Sequence, residues 1–282
     1  MFSTVLFLHE TRRKADRIVA VKRIFIFCVD SNAIYSLIYN GNKWELFFIL
    51  SHFKLHLMTQ INKETLEFLT KLKKNNDRDW FTANKNKYVA ANENFTAFVG
   101  DLISQISRFD KSVAGLDPKK CIFRIYRDVR FSKDKAPYKT NFGAAMAGGS
   151  KGLTGKAGFY IHLEAGGGFL AGGVHMPEPD RLKLIREDVS MEGKKFLKII
   201  NDKTFKKNFK ELSGGDILKT APKGFDKEDP MMDYLKYKDF IAMHKLDEKT
   251  ILSPRFAVYC TDIFKTMVPF INFLNASLPP GK

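Results

Sequence analysis

Apolar residues recur at helical spacing in the first third of the main body of the chain, at strand spacing in its middle, and at helical spacing again towards its end. From Asn62, the residues Leu66, Phe68, Leu69 and Leu72 form an apolar stripe running to Asn75-Asn76, which predicts a helix with Asn62 as its cap. Asp79 is placed to cap the next helix, in which Trp80, Asn84 and Tyr88 share a face. Phe95, Phe98, Val99, Leu102, Ile103 and Ile106 carry the same period on to Phe109, so a long or broken helix over the core is expected.

The period then changes. Cys121, Phe123 and Ile125 alternate with Ile122, Arg124 and Tyr126, which is strand spacing, with Phe123 and Ile125 assigned to the core. After a glycine-rich connection, Phe159, Ile161 and Leu163 alternate with Tyr160, His162 and Glu164. Ala165–Gly168 reads as a hairpin turn and Phe169–Met176 as the returning strand. Pro177 and Pro179 open a helix through Leu182, Ile185 and Val189, and Phe196–Ile200 continues helical. Phe240–His244 is a short strand candidate. Ser253 or Pro254 begins a last helix through Phe256, Ile263, Phe264, Met267, Phe270 and Phe273, with Pro269 as a kink. Helices, then hairpin strands, then helices predict a single α+β domain over 58–278, its antiparallel sheet packed by N-terminal and C-terminal helices, with 279–282 as a tail.

Residues 1–57 follow no such pattern. Apolar bursts at Val5–Leu8, Ile24–Val29 and Leu46–Leu50 are interrupted by Arg23, Asp30, Lys43, Glu45 and Lys54. None approaches the length of a membrane span, and no secretory cleavage pattern is evident. Met58 then opens an ordinary domain start. Two readings stand: 1–57 is a non-native upstream extension or poorly ordered leader, or it is a short strand or helix pair packing on the domain.

A 282-residue chain with 44% apolar content can bury a substantial core, and the 26 Phe residues make that core aromatic. The net charge of +16 favours anionic partners. Cys28, Cys121 and Cys260 are odd in number and widely spaced, which fits a reducing compartment and predicts a cytoplasmic protein. No C-x-x-C pair or phosphate-loop signature is present, so neither metal nor cofactor is expected.

The candidate chemistry concentrates in Lys119–Lys139, where Lys119, Lys120, Arg124, Arg127, Arg130, Lys133, Lys135 and Lys139 face only Asp128 and Asp134. Phe123, Tyr126, Phe131 and Tyr138 interleave with the charges. Forked guanidinium donors on a strand entering a turn suit a phosphate or carboxylate, with Arg124, Arg127, Arg130, Lys133, Lys135, Tyr138 and Lys139 as the candidate anion site. The bland reading is a set of surface ion pairs of little net worth. In the hairpin, His162 and Glu164 share a face and could act as an acid/base pair, or join His175 in a metal site, against a plain solvent-facing polar row. The seven lysines of Lys194–Lys210 read as the wet face of a helix. No catalytic nucleophile stands out.

The stretch FRIYRDVRFSKDKAPYKTNFGAAM, the Trp80-Phe81 pair, the hairpin FYIHLEAGGGFLAGGVHMPEPDRL and the terminal helix together resemble one family. It is the family of conserved bacterial and fungal proteins catalogued as domain of unknown function 2461, and the similarity covers Met58 to Leu278. The resemblance implies a single globular domain beginning close to Met58 and supplies no catalytic residues. Two functions remain open: binding of a phosphorylated or nucleic-acid ligand by the basic motif, or docking of an acidic protein partner by the same loop.

Overall fold

A computed structural model of the chain describes the backbone of residues 24–30, 33–39 and 44–48, and backbone and side chains of 58–148, 155–213, 215–276 and 278. The chain divides into two units, Met1–Leu57 and Met58–Lys282. In the first, β1 (Ile24–Asp30), β2 (Ala33–Tyr39) and β3 (Trp44–Phe48) form an antiparallel sheet in that order. Phe27 pairs with Tyr35 and Leu37 with Leu46, and the register shifts between Cys28 and Asp30. The apolar burst at Ile24–Val29 therefore falls on β1, and the first three residues of the burst at Leu46–Leu50 fall on β3, its last two lying outside the described residues. The burst at Val5–Leu8, most of the expected leader 1–57 and the tail 279–282 lie outside the described residues.

The second unit opens with α1 (Lys63–Lys74), α2 (Arg78–Ala83) and α3 (Lys85–Ile106), followed by a short 3-10 turn at Lys111–Val113 and α4 (Pro118–Cys121). Next come β4 (Asn141–Met146), β5 (Gly158–Glu164) and β6 (Gly167–Val174), then α5 (Pro179–Met191), α6 (Gly193–Ile200) and α7 (Lys203–Phe209). The unit closes with α8 (Met232–Leu235), β7 (Phe240–Asp247), α9 (Glu248–Ile251) and α10 (Phe256–Leu274). β4-β5-β6-β7 is an open antiparallel sheet in sequence order, with helices packed on it: an α+β domain.

Strand alternation sends Phe142, Ala144 and Met146 of β4, Phe159, Ile161 and Leu163 of β5, Leu170 of β6 and Ala242 and Leu246 of β7 into the core. They meet α1, α3 and α10, whose Phe95 stacks on Phe142 at 5.5 Å and whose Phe98 and Phe256 stack at 5.1 Å. Each such side chain taken fully from water is worth about 1.5–3 kcal/mol before entropy is charged. The lysines of Lys194–Lys210 are exposed between buried Phe196, Ile200, Phe205 and Phe209, as the helical period required.

Local chemistry departs from expectation at three places. Asn62 occupies the cap position of α1, but its side chain makes no capping bond; Asn94 of α3 instead accepts from Asn62 N and Thr65 Oγ1 and donates to Gln60 O. The cap of α2 is Asp77, which accepts from Trp80 N at 2.8 Å, and Asp79 lies inside the first turn. Lastly, the segment read as the first strand is not one: Cys121 ends α4, and Ile122–Tyr126 makes only isolated bridges beside β4, with Phe123 about half exposed. The regular strand is β4, inside the stretch read as a glycine-rich connection.

Candidate functional site

The basic loop is a narrow, irregular hairpin running off the edge of β4. Phe123 N donates to Gly143 O, Lys139 N to Ile125 O and Arg127 N to Pro137 O, so the two legs stay together as far as Arg127 and Pro137. Beyond them the chain loops out through Asp128–Ala136, with the Phe131 ring 95% exposed.

Within that loop the arginines divide. Arg127 pairs with Asp134 at 2.5 Å and donates to Ala136 O at 3.1 Å. Arg130 makes a two-pronged bond to Asp128, at 2.9 and 2.6 Å. Both aspartates sit below the usual carboxylate range, Asp128 through its bonds from Arg130 and Asp134 through the Ala136 amide and then Arg127. Lys135 Nζ donates to Val129 O, and Lys133 is exposed. Tyr138 lies in the core, 5% exposed, its ring stacked 3.9 Å from Phe81.

Arg124 and Lys139 behave differently. Neither side chain makes a hydrogen bond or an ion pair within 4.0 Å among the described residues, although the Lys139 amide donates to Ile125 O. Burial pushes the Lys139 ammonium below its ordinary value, and the neighbouring Arg124 charge pushes it the same way. Lys139 Nζ rests over the Phe123 ring, 5.3 Å from its centroid. Arg124 also lies near enough to Asp128 to favour its ionised form.

Phe123 leads onto the face of the sheet opposite the core. There β5 presents Tyr160, His162 and Glu164, and Phe169 of β6 stands across from His162. The rings form a continuous row: Phe123 to Tyr160 at 6.1 Å, Tyr160 to Phe169 at 5.7 Å, and His162 stacked on Phe169 at 4.5 Å. Gly143, paired with His162, makes room for it, since a Cβ there would collide with the Tyr160 hydroxyl. Lys245 of β7 continues the row across from Phe169 and is exposed.

The Tyr160 hydroxyl lies 3.1 Å from His162 Nδ1, and Asn141 Nδ2 is 3.4 Å from the same atom. The other ring nitrogen, Nε2, lies 4.0 Å from Glu164 Oε2. Burial pushes the Tyr160 phenol up to about 12 and lowers His162, against a smaller upward pull from Glu164. The expected acid/base residues are thus adjacent, whereas His175 is held elsewhere, 3.1 Å from Asp239. Among the described residues no three His, Cys, Asp or Glu side chains are grouped to hold a metal ion. A cavity of about 530 Å³ beside Lys249, Arg255 and Tyr259 includes none of the sequence-predicted site residues.

The ring row escaped the sequence reading because its members come from three separate segments. One signal was there: Tyr160 falls on the polar phase of a hairpin strand, where a large ring has no core to fill.

Fold and site together define an α+β domain with one sheet face covered by helices and, on the other, a row of partly buried rings with Lys139 and Lys245 at its ends. The chain belongs to the family described as "Conserved hypothetical protein (DUF2461)", whose sequence model matches residues 64–273. No curated protein and no solved structure matches it. Among the described residues, no helix is long and apolar enough to cross a membrane.

Proposed function

We propose that this domain binds an anionic, phosphate-bearing ligand where the basic loop meets the sheet face that carries the ring row. The carrying observation is the closeness of Arg124 and Lys139: the Arg124 charge disfavours the Lys139 ammonium, and the nearest named carboxylate, Asp128, is already engaged by Arg130 through both oxygens. A phosphate between them relieves that repulsion, and the guanidinium offers it two parallel donors. Arg127, Arg130 and Lys135 then serve chiefly to hold the loop in shape, Tyr138 anchors it to the core, and Lys133 adds to the positive field. His162 and Glu164 border the same face as an acid/base pair for which no reaction is assigned. The free, buried thiols of Cys121 and Cys260 support placing the protein in the cytoplasm.

Phosphate should raise the melting temperature beyond chloride at equal ionic strength, because a bound ligand stabilises by mass action. An Arg124→Gln/Lys139→Gln variant controls for the general stabilisation that phosphate gives by exclusion from the surface. The wild type should gain more than the variant, by about 1 kcal/mol or above if two charge-assisted contacts are lost. Equal gains would remove this reading.

One observation favours docking of an acidic protein partner instead: Phe131 stands almost fully exposed at the loop tip with the Arg130 guanidinium 5.7 Å from its ring centroid. On that reading Phe131→Ser abolishes partner binding while the phosphate response stays intact.

A further inference from the structure

We infer that the phosphate-bearing ligand is a single-stranded nucleic acid, its bases stacked along the ring row and its backbone phosphates held by Arg124, Lys139 and Lys245. This rests on the anion-binding reading and narrows it. On the face of a sheet away from its core, cross-strand pairs of rings add only modestly to stability, and a contiguous row of them is an apolar patch that points to a ligand. Here Phe123, Tyr160 and Phe169 lie side by side on that outer surface, and their ring contacts among the described residues run to one another and to His162, none to a helix.

The rings are also fixed in place. Gly143 clears the space over which Tyr160 lies, the Tyr160 hydroxyl is tethered to His162, and His162 backs one face of Phe169. A base stacking on a ring already held still loses less freedom than one meeting a mobile side chain, and every base has a π-face to offer. Cations flank the row, Arg124 and Lys139 beside Phe123 and Lys245 across from Phe169, while Glu164 and Asp247 are the acidic residues along the far edge of that face. A sheet face bearing aromatic residues and flanking cations suits splayed single strands, whereas a duplex buries its base faces in the stack and exposes only base edges and backbone.

The test uses a fluorescent oligothymidylate, an abasic oligomer of equal length and inorganic polyphosphate, each titrated into the full chain. The oligothymidylate should bind more tightly than the abasic oligomer, with log K falling against log salt at a slope of about −2 for three phosphate contacts. Phe123→Leu and Phe169→Leu keep apolar volume but remove the ring, and each should weaken the oligothymidylate by about tenfold while leaving polyphosphate unchanged. Lys139→Gln should weaken all three. Equal affinity for oligothymidylate and abasic oligomer, unmoved by the ring variants, would overturn base stacking and leave anion binding standing. Failure of all three probes to bind would overturn both. Binding of an acidic protein that the ring variants do not affect, with no affinity for the oligomers, would assign the loop to a protein partner and sink the inference.

Discussion

Tyr138 and Phe131 belong to one basic loop and lie in opposite environments, the first stacked in the core and the second in water. Residue type alone does not separate them; what does is that Tyr138 bonds through its backbone to Asn76 and so is drawn under α2. His162 shows the same dependence on surroundings in its titration. Burial holds its pKa below 6.5, more strongly than Glu164 raises it. The unfolded chain therefore takes up a proton at higher pH than the folded protein does. Between the two values the unfolded state binds more protons, so stability is full above about 6.5 and falls as the pH drops. A melting series from about pH 7.5 to 5.5 should show a larger loss for the wild type than for His162→Gln, since the variant lacks that proton uptake. Parallel losses would mean that the imidazole is solvated and titrates as an ordinary surface histidine.

At the scale of elements, α1, α3, α5, α10 and the β5-β6 hairpin were legible because their apolar positions keep one period over several turns or pairs. β4 was not, since Asn-Phe-Gly-Ala-Ala-Met offers small residues where a strand pattern needs contrast. The reason lies on β5: Tyr160 leans over Gly143, so the side chain that would have marked β4 as a strand has no room. Gly143→Ala should accordingly cost about 1–3 kcal/mol in urea unfolding, as overpacked sites do. Tyr160→Phe removes the nearest obstructing atom, and the double variant should recover part of that loss. A Gly143→Ala protein as stable as the wild type would show that the ring moves aside freely. The candidate site was legible as charge and illegible as geometry for a related reason. Eight cations in one segment are countable, but that Asp128 and Asp134 engage two of the arginines, and leave Arg124 beside Lys139, depends on the return path of the loop.

For the whole molecule, the question is how much of the chain the α+β domain needs. The 39 basic and 27 acidic residues of 58–282 leave that part strongly positive, so long-range attraction of polyanions does not depend on residues 1–57. The buried core of the domain begins at Ile61, and its entry is pinned onto α3 from Thr59 onward. Thr59 N donates to the buried Asp101 carboxylate at 2.5 Å, while Asn94 holds both Gln60 O and Asn62 N. A chain beginning at Met58 keeps all of these contacts. It should therefore unfold in a single cooperative transition within a few degrees of the full chain, and bind oligothymidylate with the same dependence on salt, because Arg124, Lys139 and Lys245 are all retained. Calorimetry and a salt titration on the two chains side by side check both halves. Aggregation or a broad, uncooperative melt of the shorter chain would mean that residues 1–57 cover apolar surface of the domain. A normal melt with a shallower salt slope would mean that they supply phosphate contacts of their own.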